Sequence, residues 1–450
     1  MREALRSRVF HVLLGLTLLA TVLLPLTVSG DGTATAAVQA ILTYSLQAVA
    51  VLLSMAAVWL GCAGLSHEIE SHRIHMILTK PVHPWMVWLG KWLAVFLMNG
   101  VILLVAAAVI YGLIQHRLAS AEFSPEELAQ ARAEVLTGRR VYEPLRPPLG
   151  DLVDAEYRRL RDQDMLDPSH DPRAVRGELL RVMRARTTEV QPYMVRGWRF
   201  EGVSVDRQAE APMFFRYRLY VARASQTEQR ETLGVWRFVN PDAPEGRQER
   251  YLPMQMRGGM FQELPLPTWL VANDNSLTVE YLNDDPQEDV VIFQTADGPT
   301  LLVSAAGFSV NYARGVGVIF LRLGFFAALG CAFGAMFSSP VALFLAFAYM
   351  LFSIVVDATL GTPGSSEQLD SWIPHGHSFF TYSLVLILDK IVISLREFDI
   401  PELLSSGRLV SNGRLASVLF FQLLLRGGPL AGLAVLVFSR REMGKVVRQP

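Results

Sequence analysis

Apolar runs long enough to cross a lipid bilayer are what most limit the folds open to this chain of 450 residues. A hydrocarbon core about 30 Å thick needs roughly 20 apolar residues in a helix. Residues 9–29, 38–65, 88–114, 315–337 and 340–360 meet that length cleanly. A sixth run, 415–438, meets it with Arg426-Gly-Gly-Pro429 in its middle. The mean hydropathy of +0.29 therefore averages two populations, apolar blocks at both ends and a polar middle. The first run follows a basic flank, MREALRSR, as a signal peptide would. Its apolar core exceeds the roughly 7–15 residues of a signal peptide and no small-x-small cleavage site follows at once, so it reads as a retained span.

Basic residues in the short flanks set the direction. Arg2, Arg6 and Arg8 precede the first run, and residues 30–37 after it hold no basic residue. Arg73, Lys80 and Lys91 lie between the second and third runs, and Arg440, Arg441, Lys445 and Arg448 follow the sixth. The positive-inside rule then predicts six transmembrane helices with both termini cytoplasmic, a multi-pass protein of a cell's inner membrane. Five or seven spans would push the basic C-terminal tail outside. Trp59, Trp85, Trp88 and Trp92 fit an aromatic belt at the cytoplasmic interface. Residues 379–395 are apolar on one helical face but are interrupted at Asp389-Lys390, too soon to span. An interfacial or re-entrant helix on the outer side, about 378–396, is the expectation.

Residues 116–310 read as a water-exposed α+β domain inserted between membrane parts 1–115 and 311–450. Its first part, 116–190, is expected to be helical. Ser124-Pro-Glu-Glu127 supplies an N-cap, a proline at the first helical position and a capping-box glutamate. Asp171-Pro172 starts another helix with Val175, Leu179, Val182 and Met183 along one face. From about Arg196 the period becomes two: Phe215, Tyr217, Leu219 and Val221 alternate with polar residues, as do Leu277, Val279 and Tyr281. Residues 290–303 suggest a hairpin turning near Asp297-Gly298, and 191–310 as a whole suggests an extracytoplasmic β-sandwich.

Several chemistries lack their sequence signatures. The two cysteines, Cys62 and Cys331, fall inside apolar runs and supply no disulfide framework. The net charge of −1 gives no argument for nucleic acid. Neither Gly90-Lys91 nor Gly444-Lys445 has phosphate-loop spacing, and no Gly-x-Ser-x-Gly nucleophile turn occurs. His67 and His72 stand five residues apart, where a zinc-protease helix needs four, and His375-Gly-His377 reads as loop. No catalytic residue, metal site or cofactor is expected in the chain itself.

The polar stretch between the second and third runs carries a family resemblance. Glu68-Ile-Glu70, then Ile74-His-Met-Ile-Leu-Thr-Lys80-Pro81-Val82, then Gly90-Lys91, resembles the segment between spans two and three of ABC-2 type transporter permeases. The family pattern is roughly Glu-x-Glu-x-Gly-Thr-x-x-x-x-Leu-x-Lys-Pro-Val followed by Gly-Lys. Here His72-Arg73 replaces Gly-Thr, and residues 116–310 replace a short outer loop. The resemblance covers the two membrane parts. It implies a cytoplasmic coupling helix at about 66–80, with Glu68, Glu70, His72, Arg73, Lys80 and Pro81 meeting a cytosolic ATPase that carries the ATP and Mg. It also implies a second permease subunit, identical or different, and export or mechanical transmission driven by ATP. Pro81 cannot continue a helix and disfavours helical geometry at Lys80, so the chain turns there. Lys91 is placed to snorkel from the start of span three.

Inside the bilayer Arg322 and Arg426 are the costly residues, at about 2.5–3.5 kcal/mol or more each unless paired or hydrated. Asp357 is the carboxylate nearest to Arg322 by topology. These three are candidates for a translocation path or a subunit seam, with a structural salt bridge or snorkelling as the plain alternative. Two functional alternatives stand beside this reading: a membrane-anchored scaffold or adhesion module whose outer domain binds an extracytoplasmic protein without transport, and an integral membrane enzyme using the histidines near either interface.

Overall fold

The computed structural model describes residues 8–27, 32–70, 83–119, 122–146, 148–166, 171–206, 212–222, 231–294, 297–360 and 399–440; of residues 26, 70 and 356–360 it describes the backbone alone. Along the chain, helix α1 (Arg8–Thr27) is followed by α2 (Ala34–Ala40), which continues through a π-helical turn, Ile41–Ser45, into α3 (Leu46–Glu70). Then come α4 (Pro84–Leu118), α5 (Pro125–Glu134), β1 (Thr137–Tyr142), α6 (Leu149–Asp162) and α7 (Pro172–Thr188). Ten strands succeed them: β2 (Glu189–Val190), β3 (Val195–Phe200), β4 (Met213–Arg218), β5 (Tyr220–Val221), β6 (Glu231–Val239), β7 (Glu249–Arg257), β8 (Phe261–Leu266), β9 (Leu277–Asn283), β10 (Val291–Ile292) and β11 (Thr300–Gly307). Helices α8 (Phe308–Met336), α9 (Ser339–Leu360), α10 (Ile400–Ser405) and α11 (Asn412–Ser417) follow; a π-helical stretch, Val418–Arg426, leads into α12 (Gly427–Arg440). The chain divides into two compact units, residues 139–305 and the remainder, so α5 groups with the membrane helices.

The unit 139–305 holds three sheets, in the orders β1-β11-β4-β8, β2-β10-β5 and β3-β9-β6-β7. Strict alternation along β9 buries Leu277, Val279 and Tyr281 and leaves Thr278 and Glu280 half-exposed, as the period of two requires. The inner faces of the two four-stranded sheets meet in one aromatic cluster. Trp236 on β6 has no exposed surface, and its ring lies 4.8 Å from Phe215 and 4.7 Å from Tyr217 on β4, and 4.9 Å from Tyr281 on β9. Such aromatic pairs add roughly 0.5–1.5 kcal/mol each beyond burial. Gly234 is glycine because Tyr281 lies flat across β6: a Cβ there would sit 2.5 Å from the ring. Tyr217 donates to Gln262 at 2.9 Å, and burial pushes its phenol up to about 12. Arg196, over the Trp198 ring, is pushed down to about 10 by burial.

Two local expectations fail here. The strands on either side of Asp297-Gly298 form no hairpin: β10 pairs with β2 and β5, whereas β11 pairs with β4. Asp297 instead forms an ion pair with Arg218 and accepts from the Tyr220 hydroxyl at 3.2 Å, so this turn is fixed by side chains from the β4–β5 edge. Strand β1 also falls inside the stretch expected to be helical. The predicted helix starts do form. Ser124 and Glu127 complete a capping box, and Asp171 caps α7 by accepting from Arg173 N–H at 3.0 Å.

Among the described residues, five helices are long and apolar enough to cross a membrane: 8–25, 34–69, 84–118, 308–336 and 412–440. The run expected at 340–360 is the 22-residue helix α9. The most buried of these helices is α8, and it meets α3 backbone to backbone. A Cβ on Gly330 would stand 2.6 Å from the Val58 carbonyl oxygen, one on Gly334 2.7 Å from that of Cys62, and one on Gly61 2.8 Å from the Cys331 nitrogen. Lipid tails are as apolar as leucine, so helices in a bilayer associate through such close packing, and small residues four apart permit it.

Prolines inside apolar helices leave carbonyls without a donor, and neighbouring groups supply one. Pro25 has no N–H to give to the Thr21 carbonyl four residues back, and the buried Ser45 hydroxyl donates to that oxygen at 2.9 Å from the π-helical turn. Pro429 has the same deficit. The helix before it widens into the π-helical stretch, and Gly427 N–H donates to the carbonyls of Gln422 and Leu424. The helix thus widens locally ahead of Arg426-Gly-Gly-Pro429. Other cross-helix bonds join α4 to α8, where the Tyr312 hydroxyl donates to the Ala107 carbonyl at 2.8 Å. Asn311 clamps the chain between α10 and α11, donating to the Arg408 carbonyl at 2.8 Å and accepting from Val410 N–H at 2.7 Å.

Gly330→Val tests the α3–α8 seam. It should lower the stability of the detergent-solubilised protein by roughly 1–3 kcal/mol, read as a lower midpoint of thermal unfolding. Gly432→Ala, where a Cβ meets nothing within 4 Å, should change it little.

Candidate functional site

The polar segment singled out above lies between the end of α3 and the start of α4. His72, Arg73, Lys80 and Pro81, with the rest of residues 71–82, lie outside the described residues. So does the interfacial helix expected at 378–396. Glu70 closes the last turn of α3, and its side chain also lies outside the description. Glu68, two residues earlier, is fully placed. Its carboxylate forms an ion pair with Lys91 on α4, with the two side chains 24% and 35% exposed. Lys91 therefore does not merely snorkel; it joins the two helix ends that flank the segment. The second oxygen of Glu68 is buried and accepts no hydrogen bond from the described residues.

The same face of α4 reaches α8. Trp88 stands three residues before Lys91 and four before Trp92, and residues three and four apart are neighbours on a helical face. The Trp92 indole N–H donates to the Gly324 carbonyl at 2.9 Å. Trp88 is buried, in one apolar cluster with Leu65 of α3 and Cys331 of α8. These two tryptophans are packed into the bundle, which corrects the belt expectation; Trp59 and Trp85 are exposed, at 49% and 47%. At the end of α3 the buried Ser66 hydroxyl donates to the Cys62 carbonyl at 2.8 Å and lies 3.2 Å from that of Gly334. The ends of α3, α4 and α8 form one cross-bonded corner. Sequence reading missed Ser66 and the glycine seam; the signal available was Gly330-Cys-Ala-Phe-Gly334, two glycines four apart in an apolar run.

Arg322 sits on α8 with 7% exposure, its guanidinium 5.5 Å from the Phe326 ring centroid. Asp399, immediately before α10, is a carboxylate that acts on it electrostatically. Ile400 and Leu404 of α10 pack where Gly315 leaves room, seven residues back on the same face of α8. The expected partner Asp357 lies in α9, with its side chain outside the description. Topology alone could not reveal Asp399, since it follows a long connection. Arg426 donates to Gln422, one turn back in its own helix, at 3.0 Å. Asn99 on α4 has no exposed surface; its amide donates to the Val95 carbonyl at 2.9 Å, and its Oδ1 accepts no hydrogen bond from the described residues.

Among the described residues, no group of three or more His, Cys, Asp or Glu side chains is placed to hold a metal ion. Cys62 and Cys331 are buried and unbonded. In comparison with known proteins, no family model matches the chain, and neither the curated proteins nor the solved structures give a significant match.

A double-mutant cycle checks the corner. Glu68→Ala and Lys91→Ala should each lower the thermal midpoint, and the double variant should lose no more than the worse single one. The coupling should be roughly 0.5–1 kcal/mol, the range of a solvent-screened pair. Strictly additive losses would show that the pair does not hold α3 to α4.

Proposed function

We propose that this chain is the membrane subunit of an ATP-driven transporter of the ABC-2 type. It spans the bilayer six times, with α9 as the fifth span. Both termini and residues 71–82 face the cytosol, and the sheet-rich unit is an extracytoplasmic sandwich. It works as a dimer with a second permease subunit, identical or different, and with cytosolic ATPase subunits that hold the ATP and Mg. The observation carrying this reading is the Glu68–Lys91 ion pair, which closes the ends of α3 and α4 around the segment resembling a coupling helix. A push on residues 71–82 then moves both helices together. Ser66 and the glycine seam pass the displacement to α8. Helix α8 begins at Phe308, directly after β11 ends at Gly307, so the chain that receives the force continues without a linker into the sheet-rich unit. That continuity supports mechanical transmission to an extracytoplasmic partner as much as export of a substrate.

The test is affinity purification of the tagged chain from its native membranes. A cytosolic ATPase should co-purify, and Glu70→Arg with Arg73→Glu should cut its recovery at least roughly tenfold, the scale of losing about 1.4 kcal/mol of interface energy. The thermal midpoint of the chain itself should not move. An ATPase that fails to co-purify, or whose recovery ignores the double substitution, contradicts the reading and favours an anchored scaffold.

A further inference from the structure

The sheet-rich unit carries a concave surface that the transporter reading leaves unused. The loop after β6 and the turn after β8 enclose a cleft of about 230 Å³, lined by Asn240, Asp242, Pro244, Arg247, Trp269 and Asn273 among others. Its walls are held by a short polar network. Asn240, 5% exposed, donates to the Trp269 carbonyl at 2.6 Å and accepts from Asp242 N–H at 2.9 Å. Asp242 in turn accepts from Asn273 N–H at 2.7 Å, tying the two loops across the cleft. Gly246, at φ +84°, makes the turn that brings Arg247 round to the rim. Side chains of this loop are therefore presented on a fixed frame.

Two of the lining groups are left without structural work. The Trp269 indole is 42% exposed, whereas Trp198 and Trp236 of the same unit are buried. The Trp269 ring lines the cleft together with these polar side chains. The exposed Arg247 guanidinium makes no ion pair among the described residues, although Arg237, in the strand before this loop, contacts both Glu249 and Glu280.

We propose that this cleft binds a single pyranose ring of a glycan. One face of such a ring presents a row of C–H groups, which suits the flat apolar surface of Trp269 flanked by Pro244. Its edges carry hydroxyls that both donate and accept, which matches a carboxylate acceptor, Asp242, beside a guanidinium donor, Arg247. The cleft is smaller than the roughly 300 Å³ at which drug-sized ligand sites begin, so it accommodates one ring and leaves the chain of sugars outside. With the outward placement of this unit proposed above, the ligand is a glycan on the outer side of the membrane. Binding by the purified chain does not depend on that placement, so a failure here and a failure of the transporter reading are separable.

The experiment is isothermal titration of the full chain in nanodiscs with cellohexaose and chitohexaose, hexamers of glucose and of N-acetylglucosamine. Saturable binding of at least one is expected, weakened roughly tenfold or more by Trp269→Ala and roughly fivefold by Arg247→Ala, with Trp269→Tyr within about threefold of the parent. Both side chains are exposed, and unchanged thermal midpoints will show that the variants are folded. The proposal is overturned if neither hexasaccharide binds at roughly millimolar concentration, or if Trp269→Ala binds as the parent does.

Discussion

The backbone contact between α3 and α8 is the constraint on which the membrane part depends. Hydrophobic burial cannot choose partners for a helix surrounded by hydrocarbon, so close packing and hydrogen bonds must do it. Gly61, Gly330 and Gly334 let the two helices approach until carbonyl and amide groups of one stand against the Cα atoms of the other. At that separation Ser66 reaches across to the Gly334 carbonyl. Trp88 fills the angle between α4 and the pair, and Glu68 closes it against Lys91. Without the glycines the corner would open by the width of a side chain and these bonds would be out of reach.

Several other polar groups of the helical unit follow one logic. Water is absent from the hydrocarbon region, so a carbonyl freed by a proline, or an amide buried on a helix face, must find a donor or acceptor on a neighbour. Ser45 serves the carbonyl that Pro25 abandons, Tyr312 serves Ala107, and Asn311 serves both edges of the chain leading into α11. Each of these bonds also fixes which helix lies next to which. Among the described residues, π-helical stretches occur in the second and the last of the long apolar helices, one supplying Ser45 and one preceding Pro429.

Much of this architecture was legible from residues alone, and the limits have physical causes. Apolar length located the long helices to within a few residues, because the bilayer fixes how far an apolar run must extend. Capping chemistry located α5 and α7, since Ser124 and Asp171 act within three residues of themselves. Pairing between distant strands was not legible: the turn at Asp297-Gly298 looked like a hairpin, yet the strands beside it joined different sheets. Side-chain partners across long sequence separations were equally hidden. The electrostatic influence of Asp399 on Arg322 and the pairing of Lys91 with Glu68 depend on packing that no local pattern encodes. The tryptophans show the same limit, since Trp85 and Trp88 have similar flanks but only the second meets a neighbouring helix.

The central claim is that residues 71–82 form a lever on the α3–α4–α8 corner, worked from the cytosolic side. The most direct measurement introduces a cysteine at Arg73 in a Cys62→Ala, Cys331→Ala background and probes it with a membrane-impermeant maleimide. The account predicts no labelling in intact cells and full labelling in inside-out vesicles, while a cysteine at Arg247 behaves the opposite way. Labelling of position 73 from outside intact cells would contradict it.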